Sequence, residues 1–187
     1  MDGIQNNAEK IADSLLLLER PDMLFRVIGR GGRWPNIGFD EDGNLLPESY
    51  PTGPFKHVDF EKHLIWDPVP TPFISLYGDW DAAKWRVKRF IEDWKAKEVD
   101  IVVVWTRDLD CLYGAEDIAR KLKEAGRSAM DGKKIWWYKH EYLYARPILE
   151  CRLLVVHTIN IGDYDDFKQS EPRIKEWTTT FFRSGNN

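Results

Sequence analysis

One acid, Glu141, stands in a run of aromatic and apolar residues, "WWYKHEYLYARPI" (136–148). The bulky side chains around it are typical of a pleated strand, and a carboxylate buried in such a strand without a partner is costly. Glu141 is therefore either a solvent-facing residue on a half-buried strand or a carboxylate that faces a cleft, where it is a candidate catalytic group. The segment by itself leaves both interpretations open.

Two more polar residues lie in strand-like segments and precede Glu141 in the chain. Arg26 lies within "MLFRVI" (23–28), and Ser75 lies within "TPFISLYG" (71–78), where a strand runs into a helix. Taken singly, an arginine in a strand is more commonly a surface residue or a member of an ion pair, and a serine before a helix more commonly caps it or forms a turn. Their order and local contexts together indicate a candidate site that also includes Glu141.

The sequence lacks the familiar catalytic motifs. It has no G-x-x-x-x-G-K-[ST] phosphate loop and no G-x-S-x-G nucleophile elbow. The glycines of "GRGGRW" (29–34) follow a strand but precede a long proline-containing segment, unlike the dinucleotide-binding fingerprint, which opens a helix. His57 and His63 are six residues apart in a predicted loop without a second type of metal ligand. No metal is therefore expected.

The hydropathy pattern predicts strands and helices along most of the chain outside residues 29–70. Strands are predicted at 23–28, 71–78, 99–107 and 151–159 and around Glu141, and helices at 6–20, 79–98, 114–126 and 164–182. Asp79 or Asp81 is expected to cap the second helix, and the last helix is expected to kink or restart near Pro172. Strands early, helices between and a strand pair late indicate an α+β domain.

Residues 29–71 differ from the rest, because glycine, proline, asparagine and aspartate punctuate them throughout. A connection of this length in a compact domain tends to be functional or disordered. Its aromatic side chains indicate that much of it packs: Trp34, Phe39, Phe55, Phe60 and Trp66. We expect this segment to cover the candidate site.

The composition favours a globular protein. The chain has 187 residues, 43% of them hydrophobic and 31% charged, and a net charge of −4, which disfavours nucleic-acid and membrane partners. Cys111 and Cys151 lie far apart without metal-ligand spacing, so both are expected to be free thiols in a reducing compartment. No apolar segment has the length of a signal peptide or a membrane span, and an intracellular, cytoplasmic location is expected.

The ordered motifs resemble those of the ADP-ribosyltransferase fold, in its arginine–serine–glutamate branch. "MLFRVI" is similar to the family's first strand, "PFISLYGDWDAAKW" to its serine strand and the following helix, and "HEYLYARPILECRLLVV" to its glutamate strand, turn and final strand. The resemblance spans residues 22 to 158. It is greatest to an uncharacterised fungal domain in which "LFRV", "PFISL", "YGAEDIARKL" and "HEYLYARPI" have counterparts.

This resemblance implies a fold and a domain organisation. The fold is α+β, with an ADP-ribosyltransferase-like split β-sheet core and flanking helices. The chain is expected to be a single domain over residues 1–187. Within it, 1–21 form an N-terminal helix, 22–159 form the ADP-ribosyltransferase-like core, and 160–187 form a C-terminal helical extension.

The resemblance also implies a transferase of the glycosyltransferase class that uses NAD as a substrate and needs no metal. Such an enzyme cleaves the nicotinamide–ribose bond and transfers ADP-ribose to an unknown protein acceptor or to water. Glu141 is then the catalytic carboxylate, which stabilises an oxocarbenium-like state. Arg26 binds a phosphate or the ribose, Ser75 hydrogen-bonds the ribose or orients Glu141, and Tyr77 or Trp34 offers an aromatic face to the nicotinamide.

Three motifs depart from the family pattern. Lys139 lies two residues before Glu141, where members that modify arginine have Glu or Gln, so arginine is not the expected acceptor. Residues 75–77 read Ser-Leu-Tyr instead of serine-threonine-serine, and Val27 replaces a glycine. These departures leave a second hypothesis, a catalytically silent domain of the same fold that acts as a binding or interaction module. A third, an enzyme of this fold that acts on nucleic acid, is disfavoured by the net negative charge.

Overall fold

The structure, a computed structural model, describes residues 21–32, 38–50, 53–66, 69–127 and 130–184. These residues group into two compact units with an α+β fold. Unit 1 comprises Pro47–Ser75 and Leu109–Arg146, and unit 2 comprises Pro21–Leu46, Leu76–Asp108 and the chain from Pro147 onward. The helix predicted at 6–20 lies outside the described residues. The single domain predicted for residues 1–187, and its split-sheet core, stay predictions.

Unit 2 is built on antiparallel strands in the order β2-β1-β3-β6. Their bounds are β1 (Met23–Arg30), β2 (Ile74–Tyr77), β3 (Glu98–Trp105) and β6 (Leu153–Asn160), and β2 enters this unit from unit 1. β1 pairs with β3 along its whole length, with Arg26 opposite Val102, and Phe25 pairs with Tyr77 of β2. The predictions for β1, β2 and β3 are thus confirmed to within three residues at each end.

β1 runs two residues beyond its predicted end, through Gly29 to Arg30. A Cβ atom at Gly29 would lie 2.2 Å from the ring of Phe90 on the neighbouring helix. Glycine therefore lets the phenylalanine ring pack directly against the strand, and the residue serves packing rather than a turn. The added residue, Arg30, forms ion pairs with Glu98 (3.3 Å) and with the buried Asp100 on β3.

The core of unit 2 is aromatic and centres on Trp80 at the start of α2 (Trp80–Glu92). The helix begins at Asp79, whose carboxylate accepts a hydrogen bond from the Ala82 N–H at 2.6 Å, as the sequence predicts for a cap. The indole of Trp80 lies 5.3 Å from the ring of Phe25 and 5.6 Å from that of Trp177. Its N–H donates to the Ser170 carbonyl at 3.0 Å.

The C-terminal helical segment of unit 2 restarts near Pro172, as predicted. It forms α4 (Tyr164–Phe167) and α5 (Ile174–Ser184), and these helices bring Phe167 and Trp177 to the aromatic core. β6 begins at Leu153 rather than at residue 151, because a 3₁₀ turn occupies Glu150–Arg152. None of the helices in the described part of the chain is long and apolar enough to cross a membrane. Both cysteines are thiols in the structure.

Among the described residues, unit 1 contains strands in the order β4-β5-β2 and two α-helices. Their bounds are α1 (His57–Leu64), the first half of β2, β4 (Leu112–Gly114), α3 (Ala115–Glu124) and β5 (Glu141–Tyr144). β4 and β5 pair antiparallel. The apolar core of this unit includes Phe60 of α1, which stacks on Phe73 with ring centroids 4.6 Å apart, and Leu122 of α3.

Two segments differ from the sequence predictions. The run 136–148 is not a continuous strand, because Ile135–Tyr138 form a 3₁₀ turn and only Glu141–Tyr144 pair as β5. Trp136 and Trp137 are 65% and 51% exposed, so successive side chains do not alternate between core and solvent as they would in a half-buried strand. The segment 29–71 is also less irregular than predicted, because it contains α1.

The aromatic core of unit 2 can be tested with two tryptophans on the same helix. We expect Trp80→Ala to lower the free energy of unfolding by about 3–5 kcal/mol, because it leaves a cavity among packed rings. Trp85→Ala is the matched control: Trp85 is 49% exposed, and its removal should cost less than about 1 kcal/mol. Urea denaturation followed by circular dichroism measures both values, and equal losses would contradict the assigned core.

Candidate functional site

Glu141 is a buried carboxylate within unit 1. It is the first residue of β5, a strand that lies between β4 and β2, and its exposed fraction is only 7%. Its strand neighbours Leu143 and Tyr144 are buried as well. The solvent-facing interpretation of Glu141 is therefore wrong, because the residue is neither on an edge strand nor open to water.

The phenol of Tyr138 lies within reach of the Glu141 charge. Tyr138 belongs to the 3₁₀ turn before β5, is 2% exposed, and donates a hydrogen bond to the Leu64 carbonyl at 2.9 Å. Burial, and in addition the negative charge of Glu141, raise the pKa of Tyr138 to about 12. Because Glu141 and Tyr138 are both buried, water screens the carboxylate charge less than it would at the surface.

Ser75 is held by a histidine that the sequence does not single out as its partner. The Ser75 hydroxyl oxygen lies 2.8 Å from Nε2 of His63, and Nδ1 of the same ring lies 2.6 Å from the hydroxyl oxygen of Thr71. The His63 ring also packs edge-on against Phe73, with centroids 5.6 Å apart. The imidazole is thus fixed at both nitrogens and along one edge.

A carboxylate continues this chain of hydrogen bonds through the backbone of Thr71. The Thr71 N–H donates to the Glu48 carboxylate at 3.2 Å, and the Thr71 carbonyl accepts from the Ser49 N–H at 3.2 Å. Ser75 and Thr71 are 5% and 4% exposed. We call Ser75, His63, Thr71 and Glu48 the Ser75 network, and all four belong to unit 1.

Local contacts explain how α1 presents His63. The helix begins after Lys56, whose N–H donates to the carboxylate of Asp59 at 2.8 Å. Phe60 and Leu64 then lie one turn apart and face the core. Glu61 is buried and accepts two hydrogen bonds from the guanidinium of Arg127, at 2.9 and 2.6 Å. These contacts fix the orientation of α1 and leave His63 directed toward β2.

The remaining predicted site residues lie elsewhere. Arg26 is in the middle of β1 in unit 2, with 9% of its surface exposed, and Tyr77 is 6% exposed within the core of that unit. Trp34 lies outside the described residues. The convergence of Arg26 and an aromatic platform with Ser75 and Glu141 stays a prediction. No group of three metal-ligating side chains occurs among the residues that the structure describes.

Sequence reasoning misses His63 and Thr71 as members of the site. Both lie in or at the end of the segment 29–71, whose composition indicates irregular structure. In such a segment, the sequence suggests no role for His63 other than that of a metal ligand. The available signal was weak: Phe60 and Leu64 are spaced by one helical turn, and Asp59 lies three residues after Lys56, as in a helix start.

The coupling between Glu141 and Tyr138 gives a direct test of this geometry. We expect Glu141→Gln to lower the pKa of Tyr138 from about 12, while burial keeps it above the ordinary value of 10.0. Nuclear magnetic resonance of the tyrosine Cζ carbons over a pH series measures this pKa, and Tyr138→Phe identifies the signal. An unchanged pKa would show that the Glu141 charge does not reach the phenol.

The same pKa shift fixes a pH dependence of stability. The folded state favours the neutral phenol, so the contribution of Tyr138 is fully present below pH 10, the unfolded value, and is lost as the pH rises toward about 12. Tyr138→Phe has no ionisable group at this position. Its stability should therefore fall less steeply than that of the wild type over this pH window, and parallel curves would contradict the assignment.

Comparisons with known proteins give one match. A family model for a domain of unknown function, DUF7587, matches residues 19–163, which is more than half of the chain. No curated protein and no solved structure matches the chain. The matched residues include β1 to β6 and all members of the Ser75 network together with Glu141. The chain therefore belongs to the DUF7587 family.

Proposed function

We propose that the chain is an NAD-dependent ADP-ribosyltransferase or NAD glycohydrolase, which cleaves the nicotinamide–ribose bond of NAD. The observation that carries the proposal is the burial of the Glu141 carboxylate, 7% exposed, beside a phenol on which its charge acts. Support also comes from the resemblance of the Arg26, Ser75 and Glu141 segments to the arginine–serine–glutamate branch of that fold.

The reaction explains why a buried carboxylate would be useful. When the bond between the ribose and nicotinamide breaks, its electron pair leaves with the nicotinamide nitrogen, which becomes neutral, and positive charge develops on the ribose ring. A fixed carboxylate in a medium of low dielectric constant stabilises that developing charge. The acceptor then bonds to the ribose carbon and loses a proton; with water as acceptor, the product is ADP-ribose.

The environment of Glu141 also bears on the acceptor. Lys139, two residues earlier in the chain, is exposed. Its ammonium group would repel a cationic arginine side chain that approaches from the solvent. Water or a neutral or acidic acceptor therefore fits this proposal better than arginine does.

Release of nicotinamide from NAD tests the proposal. We expect Glu141→Gln to lower kcat by a factor on the order of 10² to 10³, because it removes the charge that stabilises the transition state and keeps the shape. The affinity for NAD should change much less, since the interaction is stronger in the transition state than in the ground state. Titration calorimetry measures the affinity, and thermal unfolding confirms that the variant is folded.

Glu124→Gln is the matched control, because Glu124 is an exposed acid at the end of α3 in the same unit. It should leave both kcat and the NAD affinity unchanged. A Glu141→Gln variant with the wild-type rate would remove Glu141 from the reaction. A wild type that binds NAD and releases no nicotinamide would favour the catalytically silent binding domain, an alternative that the departures at residues 75–77, Val27 and Lys139 also support.

A further inference from the structure

We infer that His63 is a positioning residue, which holds the Ser75 hydroxyl as a hydrogen-bond donor toward a ribose hydroxyl or the Glu141 carboxylate. The inference deepens the proposed function and, for its catalytic readout, rests on it. It follows from the hydrogen-bonding capacity of the Ser75 network, in which His63 lies 2.6 Å from one hydroxyl oxygen and 2.8 Å from another.

The first step concerns Thr71. Its side chain is buried, at 4% exposure, so its hydroxyl proton needs an acceptor within the protein. In the part of the chain that the structure describes, Nδ1 of His63 is the one hydrogen-bond partner of the Thr71 hydroxyl. The Thr71 hydroxyl therefore donates its proton to Nδ1, which must carry a lone pair.

The second step concerns the other ring nitrogen. In a neutral imidazole, one nitrogen accepts and the other carries the proton. Because Nδ1 of His63 accepts from Thr71, Nε2 carries the proton and donates it to the Ser75 hydroxyl oxygen at 2.8 Å. A doubly protonated ring would leave the buried Thr71 proton without this acceptor, which is costly.

The third step gives the consequence for Ser75. Since its oxygen accepts from Nε2, its own proton points to an acceptor other than His63. β5, which begins with Glu141, neighbours β2 in the strand order. We therefore assign the Glu141 carboxylate, or a ribose oxygen once NAD is bound, as the acceptor of the Ser75 proton. A hydrogen bond to ribose in this direction fixes the sugar relative to the carboxylate.

The same proton arrangement separates this role from nucleophilic catalysis. A serine nucleophile must give its proton to the histidine, which requires a lone pair on the nitrogen that faces it. Nε2 of His63 faces Ser75 and carries a proton in the inferred arrangement. Ser75 therefore forms no covalent intermediate, although its distance to His63 resembles that of a serine–histidine pair.

The tautomer of His63 can be measured without any turnover. In the full chain labelled with ¹⁵N-histidine, two-bond nitrogen–proton correlations distinguish the two neutral tautomers, and His63→Gln identifies the signal. We expect the tautomer with the proton on Nε2. A proton on Nδ1 would overturn the inference, because Ser75 would then donate to His63.

Two substitutions test the positioning role. The amide nitrogen of Gln reaches the place of Nε2, so His63→Gln keeps a donor to Ser75; the shorter Asn reaches the place of Nδ1, so His63→Asn keeps only the contact with Thr71. We expect the nicotinamide release rate of His63→Gln to stay within about threefold of the wild type. That of His63→Asn should fall roughly 10- to 100-fold, the loss expected for one buried hydrogen bond.

Thermal unfolding of both variants separates positioning from folding. A merely structural role predicts rates that follow stability, with equal losses in the two variants, and that result would overturn the inference. Rescue by Gln and not by Asn, at similar unfolding temperatures, supports it. If the wild type releases no nicotinamide, the proposed function fails, and the tautomer measurement alone decides the role of His63.

Discussion

A negative charge held away from water is the constraint on which unit 1 depends. Burial of a carboxylate costs free energy unless neighbouring groups compensate it. Glu141 is 7% exposed at the start of β5, and its charge acts on the phenol of Tyr138. Because Tyr138 donates to the Leu64 carbonyl at the end of α1, the turn before β5 also anchors that helix. The helix in turn places His63 against Ser75.

The cores of the two units differ in composition. Unit 2 is stabilised by an aromatic core in which Trp80 contacts Phe25, Phe167 and Trp177, and by the full-length pairing of β1 with β3. Unit 1 has an apolar core that includes Phe60 and Leu122. Both units also bury polar side chains, such as Asp100 in unit 2 and Glu61 in unit 1, which are costly if a partner is lost.

The sequence predicts those elements whose signal is local. β1 and β3 are apolar runs, and α2 begins at Asp79 with a regular stripe of core residues, so propensity and pattern agree. α1 has only eight residues and is too short to be stable alone. Tertiary contacts such as the ion pair of Glu61 with Arg127 stabilise α1. Because these contacts join residues far apart in the chain, a local sequence pattern does not predict them.

The candidate site, like the fold, could be predicted from the sequence only in part. Residue type and order identify Glu141 and Ser75, but burial decides between a solvent-facing and a buried glutamate, and burial depends on which strands flank β5. The run before Glu141 is rich in strand formers, yet Ile135–Tyr138 form a 3₁₀ turn with two exposed tryptophans. His63 lies in the site only because α1 is packed beside β2, and the sequence does not predict α1.

A crystal structure of the chain with NAD bound tests the central claim most directly. We expect the hydroxyls of the nicotinamide ribose within about 3 Å of the Glu141 carboxylate and the Ser75 hydroxyl, as ordinary hydrogen bonds require. The His63 ring should keep its contacts with Ser75 and Thr71. NAD bound with its ribose away from Glu141, or no NAD in crystals grown at saturating concentration, would contradict the claim.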